Sequence, residues 1–160
     1  MSMNSLKVVL VLIGCAACLI LASVAILPSS LAAECEPTKQ DALGPFYKSN
    51  APVRSSVGHG YALSGQVKSS RDCSPIAGAR IEFWLAGLNG KYDDDHRATV
   101  FPGKQGLYRF ESNFPPSYFG RPPHIHIRVS VQGYRVLVTQ HYPNPDQTEG
   151  TFDLVLIPAP

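Results

Sequence analysis

Charge is scarce in this sequence. Asp, Glu, Lys and Arg make up only 16% of its 160 residues, and the formal net charge is +2. The Lys and Arg residues form no cluster, which argues against a nucleic-acid footprint. The charge excess that holds a chain disordered is also missing. Glycine never recurs at every third position, which excludes a collagen-like rod. There is one Trp, and no Cys-x-x-Cys pair occurs beyond residue 33, which removes the usual zinc-ribbon spacings. No internal repeat is visible, and no segment after residue 33 has the apolar period of a helix longer than two turns. What is plentiful is punctuation, with 13 Gly and 14 Pro.

Residues 1–33 stand apart from the rest. Lys7 precedes Val8–Leu27, a run without a charge, and Pro28, Ser29 and Ser30 lead to Ala32-Ala33. A basic start, an apolar stretch and small residues at the end read as a secretory signal, cleaved after Ala32 or Ala33. The run exceeds an ordinary signal core of about 7–15 residues. It reaches the roughly 20 needed to span a bilayer, so an uncleaved membrane anchor over residues 8–27 is an alternative. Leu12-Ile13-Gly14-Cys15 resembles a bacterial lipobox, which would instead place a lipid on Cys15. All three readings export the domain formed by residues 34–160, to the periplasm or beyond. In that oxidising setting Cys35 and Cys73 form an even pair, and a disulfide between them is expected.

The exported part reads as strands throughout. Expected strands are Tyr61–Lys68, Ala79–Ala86, Leu107–Glu111, His124–Val131, Tyr134–Gln140 and Phe152–Ile157. Short apolar and β-branched runs separated by Gly and Pro at this spacing predict an all-β fold, a β-sandwich of mostly antiparallel strands with long irregular loops. Residues 34–58 read as an irregular strap and residues 87–106 as a long loop.

The stretch Arg121-Pro122-Pro123-His124-Ile125-His126-Ile127-Arg128 is the most informative. Side chains alternate along a strand, which places His124, His126, Arg128 and Ser130 on one face and Ile125, Ile127, Val129 and Val131 on the core face. Two imidazoles on one face can reach one metal ion, although a solvated polar face would look the same. Tyr92 lies in the loop after Trp84, and Tyr118 lies just before this stretch. A deprotonated phenol is a hard anionic oxygen donor suited to ferric iron.

With these residues in view, the chain resembles the intradiol ring-cleavage dioxygenases, the family of the catechol and protocatechuate enzymes. Thr38 and Leu43-Gly44-Pro45-Phe46-Tyr47 resemble the family's N-terminal strap. Leu63–Val67 and Pro75–Trp84 continue the likeness. Trp84 with Tyr92, Tyr118 after Pro116, the Arg121/His124/His126 run, Thr139-Gln140 with Tyr142, and Phe152–Leu156 complete it. The match covers residues 38–157. It implies ferric iron, Fe(3+), held by Tyr92, Tyr118, His124 and His126, on a β-sandwich. It further implies that Tyr118 accepts a substrate proton, that Arg121 stabilises charge developing on the substrate ring, and that Gln140 supports Arg121. The implied partners are a small catechol and dioxygen, with a cis,cis-muconic acid as product. The compact Tyr118–His126 spacing resembles exported members and suggests an open rim.

Two other readings compete. One is a non-catalytic extracellular β-sandwich binding module, which Gly65–Val67 and Pro75–Ala79 alone would favour. The other is a zinc or copper site on His124 and His126. The run Asp93-Asp94-Asp95 would repel a carboxylated catechol if it lay at the mouth of the site. His96 and His141 read as surface or supporting residues, and His59 as a turn residue without a role. The sequence carries no signal for the oligomeric state.

Overall fold

The computed structural model describes residues 35–160. The signal or anchor segment, Cys15 and its lipobox lie outside the described residues. Eight strands form two sheets: β1 (Tyr61–Ser69), β2 (Arg80–Trp84), β3 (Arg97–Val100), β4 (Leu107–Ser112), β5 (Ile125–Ser130), β6 (Leu137–His141), β7 (Glu149–Thr151) and β8 (Leu154–Leu156). The first sheet centres on β1, with antiparallel β4 on one side and β7 then β8 running parallel on the other. The second sheet has the order β3-β2-β5-β6 and is antiparallel throughout. The expected all-β sandwich is therefore the observed architecture.

Alternation builds the core. Ile81 and Phe83 on β2 and Ile125, Ile127 and Val129 on β5 face inward, meeting Leu63, Val67, Phe110, Leu154 and Leu156 from the first sheet. Phe83 and Phe110 stack at 4.3 Å between ring centroids, joining the two sheets through their rings. A methyl on Gly65 would fall against the Phe152 carbonyl, so only glycine lets the chain between β7 and β8 lie this close to β1.

Three expectations about strands are corrected. The 87–106 stretch contains β3, a four-residue strand that follows a single 3-10 turn over Asp94–His96. Its outward residue is Thr99 and its inward ones are Ala98 and Val100, too short a pattern to stand out beside an acidic run. The expected Phe152–Ile157 strand is shortened to β8, Leu154–Leu156, and an unexpected strand, β7, precedes it. Asp153 turns its carboxylate onto the Gln66 amide and Lys68 Nζ, separating β7 from β8. The strand expected from Tyr134 begins at Leu137, because Arg135 donates to the Ile157 carbonyl and leaves the second sheet.

The outer face of the second sheet is covered by the 35–58 strap, which also closes the open edges of both sheets. Thr38 pairs with Val155 on β8 and Asp41 with Val138 on β6. Arg54 pairs with Thr99 on β3 and Val57 with Glu111 on β4. Such pairing removes the exposed edges that invite aggregation. Between those ends the strap crosses Glu82, a carboxylate only 3% exposed. Arg128 at 2.8 Å, Arg80 at 3.4 Å and the Tyr47 hydroxyl at 3.2 Å surround it. The expected disulfide joins Cys35 to Cys73, tying the start of the strap to the turn between β1 and β2.

Candidate active site

The site forms where the loops after β2 and β4 meet the strap at one end of the second sheet. On β5, alternation turns His126 outward under the strap, where it is 2% exposed. Its ring stacks on Trp84 of the neighbouring strand at 4.9 Å and 5° between planes, which fixes the imidazole plane. Gly44 of the strap approaches so closely that a methyl there would come within 2.9 Å of His126 Cε1, and its φ of +72 also requires glycine. The Nδ1 of His126 is buried without a well-formed hydrogen bond. The nearby Ala42 carbonyl accepts from Gln140 Nε2 at 2.6 Å.

His124 sits just before β5 and donates from Nδ1 to the Pro122 carbonyl at 2.7 Å. That bond sets the tautomer and leaves the Nε2 lone pair free to face the Tyr92 hydroxyl, 3.1 Å away. Tyr92 is presented by a tight loop after β2, in which Gly90 donates to the Gly87 carbonyl and Gly87 to the Lys91 carbonyl. Tyr118 and Arg121 flank a two-residue turn and exchange backbone hydrogen bonds, 3.2 Å one way and 2.8 Å the other. Both central residues, Phe119 and Gly120, have positive φ.

The rings of Tyr92 and Tyr118 stand perpendicular at 5.5 Å, and those of His124 and His126 lie 4.8 Å apart. Phe46 of the strap stacks on Tyr92 at 4.5 Å. Together with Gly44, Pro45, Phe119 and Arg121 these side chains line a pocket of about 330 Å³. Arg121 Nη2 is held by Gln140 Oε1 at 2.8 Å and Tyr142 Oη at 2.9 Å. Tyr142 donates to Asp41 of the strap at 2.8 Å.

Burial dominates the electrostatics. It pushes the Tyr92 phenol up to about 12 against the pull of Arg121. It pushes His126 down to about 4, with His124 adding to the effect, and it lowers His124 as well. Both imidazoles are therefore neutral at pH 7, the form that binds metals. Among the described residues, no three His, Cys, Asp or Glu side chains converge on a metal position. An ion here must use the phenols. Two neutral imidazoles and two phenols that become hard oxygen anions on ionisation fit a ferric ion better than the zinc or copper alternative.

Tyr92, Tyr118, His124, His126 and Arg121 thus line one pocket, and Gln140 stands behind Arg121. The acidic run does not line it. Asp93 caps the 3-10 turn, and Asp94 pairs with Lys48 at 3.2 Å and Arg97 at 2.9 Å. The repulsion expected if the run lay at the mouth has no carboxylate on the pocket lining to exert it. His141 is neither surface nor support for the site. It faces away from Gln140 on β6, bonds the Tyr61 hydroxyl at 2.7 Å and is pushed down to about 4 by burial. His59 is exposed beside Glu111, and His96 bonds Asp93. Phe119 and Asp41 are pocket and support residues that the sequence does not single out; Phe119-Gly120, a two-residue turn pair, is the only signal.

No family model matches the chain. It is similar to the dioxygenase domain of a dioxygenase–carbohydrate-binding protein fusion from Streptomyces sp. SirexAA-E. The two are 32% identical with a TM-score of 0.70, covering 78% of this chain and 100% of that one. The chain belongs to the intradiol ring-cleavage dioxygenase family. Two curated relatives place the likeness within that family. Chlorocatechol 1,2-dioxygenase of Rhodococcus opacus is 30% identical over 62% of this chain and 53% of its own length. Catechol 1,2-dioxygenase of Candida albicans is 31% identical over 66% and 46%. The chain spans about half the length of these curated intradiol relatives.

Proposed function

We propose that the chain is an exported, ferric-iron-dependent intradiol dioxygenase. It opens a catechol between its two hydroxylated carbons, and both atoms of dioxygen enter the resulting cis,cis-muconic acid. One observation carries this reading: two phenols and two neutral imidazoles converge on a pocket with a guanidinium held at its wall. A non-catalytic binding module has no use for that combination.

Tyr92, Tyr118, His124 and His126 would hold the ion. The chemistry that ferric iron supplies when bound is Lewis acidity and ring-to-metal charge transfer, which make a catecholate reactive toward dioxygen. Tyr118, which would hold the ion as a phenolate, takes onto its Oη a proton released when a catechol hydroxyl ionises. The Pro122 carbonyl keeps His124 in the tautomer whose Nε2 is free. Arg121 is a permanent cation fixed by Gln140 and Tyr142, and it stabilises negative charge that grows on the ring as oxygen is attacked. Phe46 covers the Tyr92 ring and keeps water from that side. The Cys35–Cys73 bridge supports export to an oxidising compartment. Oxygen-electrode and product analysis tests the reaction. The expected result is oxygen uptake equimolar with catechol and a muconate product; no uptake, or a ring opened beside the diol, contradicts it.

A further inference from the structure

Phe119 breaks two local rules at once. A two-residue turn with positive φ at both central positions favours Asn-Gly or Asp-Gly. Here the first position is phenylalanine at φ +45, where a bulky side chain is out of place. At 89% exposure it is also the most exposed large apolar side chain among the described residues. Its one ring contact is an edge-on approach to Tyr118, at 4.7 Å and 76°. Backbone strain at a pocket points to function when something other than the free protein's packing makes use of the residue.

Phe119 lines the same pocket as Tyr92, Tyr118, His124 and His126 and is its most exposed large apolar side chain. In the intradiol reading a catechol binds by its hydroxyls at those four residues, which leaves its opposite ring edge for Phe119. The pocket of about 330 Å³ is in the range that takes a drug-sized ligand, leaving room beyond a single ring. The one cation lining it, Arg121, is fixed through its Nη2 by Gln140 and Tyr142, and in the intradiol reading its charge faces the reacting ring. A carboxylate on the outer ring edge would lose hydration against the exposed Phe119 ring.

We infer that Phe119 is a specificity-determining residue whose ring selects catechols bearing an apolar substituent on the edge remote from the hydroxyls. The inference rests on the intradiol reading for the class of ligand. Covering the exposed ring with such a substituent removes apolar surface from water on both partners.

The test is equilibrium dialysis of the purified protein without oxygen, so that nothing turns over. The probes are catechol, 4-tert-butylcatechol and 3,4-dihydroxybenzoate. The protein is expected to bind 4-tert-butylcatechol most tightly and 3,4-dihydroxybenzoate most weakly. Phe119→Asn, which suits the turn, lowers the preference for 4-tert-butylcatechol over catechol about tenfold, while its Tm stays level or rises. Phe119→Leu keeps most of the preference. An unchanged preference in Phe119→Asn overturns the inference, and so does a protein that binds none of the three. Selective binding without oxygen uptake would sink the dioxygenase reading and leave Phe119 in its role. Oxygen uptake with a flat preference would do the reverse.

Discussion

Arg121 is held by a chain of three side chains: Gln140 and Tyr142 both bond its Nη2, and Tyr142 reaches on to Asp41 in the strap. Tyr142→Phe removes the middle of that chain. Because Gln140 still holds the guanidinium, kcat/KM for catechol is expected to fall about tenfold, the scale of one charged hydrogen bond. Tyr142 is half-exposed, so Tm should move by only a few degrees; steady-state kinetics beside thermal melts check both. His141 makes a different prediction. Its folded value of about 4 lies below the ordinary 6.5. Between those values the unfolded chain binds a proton that the folded chain does not, so stability falls as pH drops from 6.5 toward 4 and levels off below. His141→Gln keeps a partner for the Tyr61 hydroxyl and does not titrate. Its Tm should fall less than the wild type's on acidification, with a residual slope from His126. The pairing of His124 and His126 on one face is legible in the sequence because strand alternation dictates it. Tyr92 and Tyr118 are legible only through the family likeness, since loop residues have no period. Asp41 gives no local sign, because its role depends on where the strap lands.

Among the elements, the strap does the most to connect fold and site. It pairs with β8 and β6 at one end and with β3 and β4 at the other, and in between it sets Gly44 against His126 and Phe46 against Tyr92. The Cys35–Cys73 bridge anchors its start across a separation of 38 residues, and in a chain-entropy account closing such a loop is worth about 4 kcal/mol. Replacing both cysteines with serine should lower Tm by about 10 °C or more, a shift of that size in a domain of this length. A melt in the presence of reductant should reproduce it; an unchanged Tm in both would show that backbone pairing alone holds the strap. Strands β1, β2, β4 and β5 are legible because each carries enough alternation or branched residues. β3 and β7 are not, since four and three residues are too few for a period to emerge and their place is fixed by partners distant in sequence.

At the scale of the whole molecule, the sandwich supplies the rigid part together with His126 and Gln140, and the strap and two loops supply the rest of the site. The sheets bury a continuous apolar core, and the donors gather at one end where the loops after β2 and β4 meet the strap. The class of the fold follows from strand spacing, Gly and Pro, whereas the pairing of β7 and β8 along β1 is a long-range arrangement with no local code. In the proposed function two phenols and two imidazoles hold ferric iron and present it to a catechol. The visible absorption spectrum of the purified protein, before and after catechol is added in air, tests this most directly. A reddish tyrosinate-to-iron band that shifts on adding catechol and returns as muconate accumulates is the expected result. A protein that stays colourless after ferric iron is supplied would contradict the claim and favour a sandwich that only binds.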